Sequence, residues 1–307
     1  MDRTGGNRLM LLDAASLYFR AYYGVPDSIT APDGTPVNAV RGLLDFIAYL
    51  ITARSPDRLV ACLDADWRPA FRVALLPSYK RHRLANPATG AENVPAALEA
   101  QVPIIIDVLT ALGFAHVGVP GFEADDVIGT LASRDPGPVD IVTGDRDLFQ
   151  LVDDARGVRV LYTARGVGRH EAIDEAAVTA KYGIPGRSYA DFAILRGDPS
   201  DGLPGVTGVG DKTAATLIGR FGSIEGLLEA IDDPAAQMSS TIRRRLADTA
   251  DYLKVAPDVV RVRADVTLPE LDDALPREPR DPESLVDLAE RWNLDDSLNR
   301  VLNALAH

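Results

Sequence analysis

Three short apolar runs, each delivering an aspartate at or just past its end, constrain this chain more than any other feature. Leu9-Met10-Leu11-Leu12 leads into Asp13, Leu59-Val60-Ala61-Cys62-Leu63 into Asp64, and Val139-Asp140-Ile141-Val142 into Thr143-Gly144-Asp145. Runs this short read as buried strands. Between them, residues 15–23, 36–53 and 101–112 have helical spacing, with Val40, Leu43, Leu44, Ile47 and Leu50 on one face. Residues 115–119 and 158–162 add further strands. Alternating strands and helices predict a mostly parallel sheet with both faces covered. Sites in such sheets form outside the carboxyl ends of the strands, where Asp13, Asp64 and Asp145 all stand.

Gly121-Phe122-Glu123-Ala124-Asp125-Asp126 reads as a loop entering a helix at the same edge. Its three carboxylates occupy the first turn, where the helix dipole favours negative charge. Glu123 and Asp126 share a face, and Asp145 and Asp147 sit in the turn after the third strand. These five acids repel one another if left bare. Carboxylate oxygens suit Mg²⁺ or Mn²⁺, and a pair of such ions turns the repulsion into binding. Standing alone, the stretch reads equally well as a solvated acidic helix start and a polar turn.

At 307 residues, 46% hydrophobic and 25% charged, the chain is sized for one large soluble domain with a smaller satellite. It has no run of eighteen apolar residues, so no membrane span is expected. Residues 1–8 are polar, without a secretory core. Cys62, the only cysteine, excludes an internal disulfide and fits a reducing cytoplasm, where a monomer is expected. Its apolar strand makes it a packing residue. The net charge of −13 argues against a polyanionic partner. Against that, the acids gather at a few points, and the cations are nearly all arginine, which suits bidentate phosphate contact.

Two segments break the alternation. Residues 69–94 carry Arg72, Tyr79, Lys80, Arg81, His82 and Arg83, then Asn86-Pro87-Ala88-Thr89-Gly90. Long connections are usually functional or disordered, and a solvated loop is the plain alternative. Farther on, Asp198 and Asp201 are placed to share a cation, and Gly205-Val206-Thr207-Gly208-Val209-Gly210 opens a helix near Lys212 and Thr213. The glycines let the backbone approach a partner, and free amides at a helix start bind phosphate. Such a hairpin grips a DNA backbone without reading sequence. The carbonyls of Val206 and Val209 are candidates for holding a monovalent ion such as K⁺. The tail offers a strand at 259–263, a linker at about 269–282 and a terminal helix with Trp292, and no legible chemistry.

Taken together, Leu12-Asp13, Leu63-Asp64, Phe71-Arg72, Tyr79-Lys80 with Arg83, Glu123-Ala124-Asp125-Asp126, Thr143-Gly144-Asp145 with Asp147, and Arg196-Gly197-Asp198 through Ala214 resemble the 5′-nuclease family. That family comprises flap endonucleases and the N-terminal 5′→3′ exonuclease domain of bacterial DNA polymerase I. The resemblance runs from Leu11 to about Arg220. It implies an α/β fold: a PIN-like core with a central, mostly parallel sheet flanked by helices over residues 1–175. A helical clamp or arch falls at about 69–94, a helix–hairpin–helix subdomain at 176–257, and a C-terminal strand, linker and helix packing back on the core at 258–307. It implies hydrolysis of DNA near 5′ ends and flaps, next to the downstream duplex, in replication and repair. Carried over by position, Asp13, Asp64, Glu123 and Asp125 serve one metal. Asp145, Asp147, Asp198 and Asp201 serve a second, and Asp126 bridges or lies in an outer shell. Gly202 stands where the family often has Asn, a departure expected to loosen that turn. Without a polymerase domain, the chain resembles a free-standing flap endonuclease.

Two divalent cations, typically ~3.5–4 Å apart, can flank a scissile phosphodiester without a side-chain base. That fits the absence of histidine from the motifs; His82, His116 and His170 read as surface or packing residues. Lys80, Arg83 and Arg72 are expected on the scissile or neighbouring phosphate, offsetting developing charge, and Tyr79 and Arg81 against the DNA. Arg20 and Tyr23 are placed to orient the strand, Tyr23 by stacking on a base or else by packing in the core. Three other classes stay open: a haloacid-dehalogenase-like phosphatase using Asp64 and Asp66, a PIN-like ribonuclease, and a non-catalytic DNA-binding protein needing only the hairpin.

Overall fold

β1 (Leu9–Asp13) lies at the centre of a six-stranded sheet and runs directly into α1 (Ala14–Gly24). The computed structural model describes residues 7–86 and 88–306, so the polar stretch 1–6, Pro87 of the basic segment and His307 lie outside it. α2 (Asn38–Arg54) leads to β2 (Arg58–Cys62). The basic segment then holds α3 (Ala70–Leu75), a 3-10 turn (Arg81–Arg83) and a ribbon of β3 (Leu84–Asn86) and β4 (Ala91–Glu92). α4 (Ala96–Glu99), α5 (Val102–Leu112), β5 (Ala115–Val117), α6 (Ala124–Arg134), β6 (Val139–Thr143), β7 (Val158–Tyr162) and β8 (Glu171–Ile173) complete the α/β part. Helices follow: α7 (Glu175–Tyr182), α8 (Tyr189–Arg196), α9 (Asp211–Phe221), α10 (Ile224–Asp232), α11 (Ser240–Asp248), α12 (Ala250–Val260), α13 (Pro282–Trp292) and α14 (Asp295–Leu305).

The sheet order is β5-β2-β1-β6-β7-β8, parallel throughout except for the β7–β8 pair. Alternate residues of β1 enter two cores. Leu9 and Leu11 join Val60, Ile141, Val127, Ile128 and Phe192, while Met10 and Leu12 join Leu44, Ile47, Val108, Val142 and Val301. Each fully buried aliphatic side chain contributes about 1.5–3 kcal/mol. That burial fixes the register and therefore fixes which residues reach the carboxyl edge. At the opposite end, Asp140 of β6 is fully buried and paired with Arg8, Arg54 and Arg159 at 3.2, 3.0 and 3.4 Å.

The tail differs from the sequence reading. Residues 259–263 form no strand: Val259 and Val260 close α12, whose last turns accommodate Pro257. A run of β-branched residues after a proline imitates a strand, but the helical turn continues through Val260 and closes with the Arg261 amide donating to the Pro257 carbonyl at 3.0 Å. The carboxyl terminus holds two helices, and Leu285, Leu298 and Val301 pack into the same core as α2. Among the described residues no helix is long and apolar enough to cross a membrane.

Candidate active site at the carboxyl edge of the sheet

A cleft of about 1350 Å³ opens at this edge, and Asp13, Asp64, Glu123, Asp125, Asp145 and Asp198 all line it. Asp13 closes β1 and caps α1, taking the Ser16 amide at 3.0 Å and the Thr143 hydroxyl at 2.7 Å. Asp64 follows β2 and accepts the Ala124 amide at 2.7 Å, tying this acid to the start of α6. The Asp145 amide donates to Thr143 Oγ1 at 2.9 Å, and Asp145 takes the Asp147 amide at 2.8 Å. Asp198 and Asp201 lie in the turn after α8, both nearly buried.

Charge is crowded here. Burial first and Asp64 next push the Asp13 carboxyl up to about 7. Burial and then Asp145 push Asp125 well above the usual range, and burial, Asp145 and Asp201 do the same for Asp147. Among the described residues no group of three or more acids is spaced to hold a metal ion as the side chains stand. The cluster is open, and like charge favours that arrangement. Oxygen-only donors fit hard divalent ions and not the thiolate or imidazole-preferring metals.

The first turn of α6 divides its acids. Glu123 is the N-cap and Asp126 completes a capping box. Asp126 is fully buried and faces away from the cleft: its oxygens take both terminal nitrogens of Arg72 and the amides of Glu123 and Arg263. The expectation that Arg72 touches phosphate is therefore corrected. Arg72 is 2% exposed, and its guanidinium is committed to Asp126, Glu123 and the Val259 carbonyl. Tyr79 is corrected likewise. It is 4% exposed and donates to Glu123 at 2.8 Å, so it cannot lie against DNA. Lys80, in the left-handed region at φ +47°, pairs with Glu123 at the cleft wall. Burial works against its charge, but Glu123 prevails and the ammonium is held well above its usual range.

The basic segment is docked on the aspartate turn. The Lys80 amide donates to the Asp201 carbonyl at 3.0 Å, Ser78 Oγ to the Gly202 carbonyl at 2.9 Å, and Arg83 to Ser200 O and Asp201 at 3.1 and 3.2 Å. Gly202 does not loosen this turn. At φ +73°, a Cβ there would lie 2.2 Å from the Ser78 carbonyl, so the missing side chain lets the two backbones meet.

Arg20 and Tyr23 of α1 both line the cleft. Core packing is excluded for Tyr23, which is 72% exposed. Arg20 Nε and Thr163 Oγ1 are buried without a protein partner, and both belong to residues beside Gly144. Arg81 and His82 are exposed, whereas the rings of His116 and His170 contact the carbonyls of Phe114 and Val167. The second aspartate of the phosphatase reading is turned to local use, since Asp66 accepts the Arg68 amide at 3.2 Å. Sequence reasoning missed Arg146, Arg169, Glu92 and Trp67 in the cleft lining, because their approach is set by tertiary packing.

In the hairpin between α8 and α9, Gly205 and Gly208 take positive φ, +67° and +74°. Gly210 is the N-cap of α9, followed by the exposed Lys212 and half-buried Thr213. Val206 and Val209 are buried, and the Val206 carbonyl accepts the Val209 amide at 2.9 Å.

Residues 8–183 match the family described as 5′-3′ exonuclease, N-terminal resolvase-like domain, and residues 184–283 match 5′-3′ exonuclease, C-terminal SAM fold. A 5′-3′ exonuclease of Streptomyces coelicolor is 63% identical, covering 96% of this chain and 99% of that one. DNA polymerase I of Mycobacterium bovis is 38% identical over 97% of this chain, which spans 32% of that protein. Among solved structures, the T5 D15 protein co-crystallised with metal ions superposes with a TM-score of 0.63 at 18% identity, covering 97% of this chain and all of that one. That likeness speaks for the fold; identity to the bacterial relatives and the two matched domains speak for descent. The chain belongs to the 5′-3′ exonuclease family.

Proposed function

We propose that this chain is a structure-specific 5′ nuclease, hydrolysing DNA phosphodiesters at 5′ ends and flaps with two divalent cations, Mg²⁺ or Mn²⁺. The observation that carries it is the convergence of six acids from five separate segments on one cleft. Asp13, Asp64, Glu123 and Asp125 would hold one ion, and Asp145, Asp147, Asp198 and Asp201 the other. The ions would supply an activated water and neutralise charge on the leaving oxygen.

The chain's own residues do the rest. Lys80 meets the phosphate while Glu123 and Tyr79 hold it in place, and Arg72 braces Glu123 from behind. Arg83 and Arg20 extend positive charge along the cleft and Tyr23 stacks a base there; Arg81, exposed beside the cleft-lining Lys80 and His82 in sequence, meets the strand backbone. The hairpin of the 176–257 subdomain holds the downstream duplex through its amides, Lys212 and Thr213. We place this activity in replication and repair in the cytoplasm, carried out by a monomer. The test is a 5′-labelled flap duplex with and without Mg²⁺ or Mn²⁺, run beside RNA of the same shape and a small phosphate ester. Ion-dependent cleavage of the DNA alone supports the proposal; preference for RNA or the ester replaces it.

A further inference from the structure

The run Arg243-Arg244-Arg245 on α11 divides three ways. Arg243 closes α10 by donating to the carbonyls of Ala230 at 2.8 Å, Ala236 at 2.9 Å and Ile231. Arg244 is exposed. Arg245 Nη1 donates to the Gly208 carbonyl at 3.0 Å, and its guanidinium lies so close over the hairpin that a Cβ on Gly208 would meet it at 2.8 Å.

We propose that Arg245 is the hairpin's built-in cation, standing where a monovalent ion would stand and binding the DNA phosphate that the hairpin amides hold. This rests on the nuclease reading above. An ion such as K⁺ needs several carbonyl oxygens free to face one point. The Val206 carbonyl accepts the Val209 amide and the Gly208 carbonyl accepts Arg245, which leaves the Val209 carbonyl as the one of these three without a donor among the described residues. By contrast, the amides of Thr207, Gly208 and Gly210 meet no protein acceptor among the described residues. The donor side of the hairpin is open to an anion, and on its acceptor side the Gly208 carbonyl is already served by an arginine. A guanidinium carries five N–H donors in a planar fork, so one bond to Gly208 leaves others for a phosphate. Lys212 stands exposed on the following helix, and Asp211, the nearest acid in sequence, is 3.9 Å from Arg196.

The test is binding of the full chain to a fluorescently labelled nicked duplex without divalent ions, read by anisotropy, in KCl and in tetramethylammonium chloride at equal ionic strength. Expected is a wild-type Kd that agrees between the two salts within about twofold, whereas Arg245→Met weakens binding about tenfold and lowers the salt slope by about one. Arg245→Lys keeps the slope. A wild-type affinity that falls severalfold without K⁺ overturns the proposal, as does Arg245→Met binding like wild type. If Arg245→Met does not fold, Arg245→Lys and the wild-type salt comparison decide. Failure of the wild type to bind duplex in either salt would instead overturn the nuclease reading; binding that ignores residue 245 overturns only this inference.

Discussion

The Arg72 guanidinium spans both oxygens of Asp126 at 2.6 and 2.7 Å and reaches Glu123 at 2.6 Å, joining α3 to the start of α6 in a buried ion cluster. Removing one member of a buried pair strands the other charge, at a cost of about 3–5 kcal/mol. Arg72→Met is expected to lower thermal stability strongly, checked by calorimetric melting. A variant with wild-type stability and only a slower reaction would return Arg72 to the phosphate.

Asp125→Asn and Asp147→Asn each remove a crowded negative charge. Both are expected to abolish cleavage while leaving folding intact and duplex binding within a few-fold. Retained cleavage in either variant would remove that residue from the site.

Burial, with that crowding behind it, gives stability a pH dependence. The Asp13 pKa is raised from 3.8 to about 7, so the folded state binds its proton more tightly than the unfolded chain does. This contribution is fully present below the unfolded value and is lost as pH rises toward 7, at up to about 1.4 kcal/mol per pH unit. The divalent-free protein is expected to melt at a lower temperature at pH 8 than at pH 5, with Mg²⁺ restoring the difference. Melting temperatures that rise across that interval without Mg²⁺ would contradict the assignment.

Lys80→Ala is expected to lower the single-turnover rate by about 10²-fold while affinity changes little, because a donor aimed at the reacting phosphate acts in the transition state. A loss confined to affinity would make Lys80 a docking residue.

Gly202→Asn tests the docking of the basic segment. Asn tolerates positive φ, so the obstacle is the Ser78 carbonyl at 2.2 Å from the new Cβ. Faster proteolysis within residues 84–94 is expected; unchanged proteolysis would mean the turn absorbs the side chain.

The strand-end aspartates were legible because buried apolar runs fix register, and register fixes the edge. The roles of Arg72 and Tyr79 were not, since sequence spacing does not separate a cation facing solvent from one facing Asp126. The final turn of α12 is not legible because β-branched residues after Pro257 match a strand locally, and only the helical hydrogen bonding that runs on to Arg261 sets them apart. Arg245 was silent for a different reason: its partner Gly208 stands 37 positions away.

The most direct measurement is a calorimetric titration of the divalent-free protein with Mn²⁺, beside Asp125→Asn and Asp147→Asn. Two ions bound per wild-type chain, with weaker uptake in each variant, is the expected result. A wild-type chain that takes up no Mn²⁺, or variants that bind it unchanged, would contradict a cation site built from these acids.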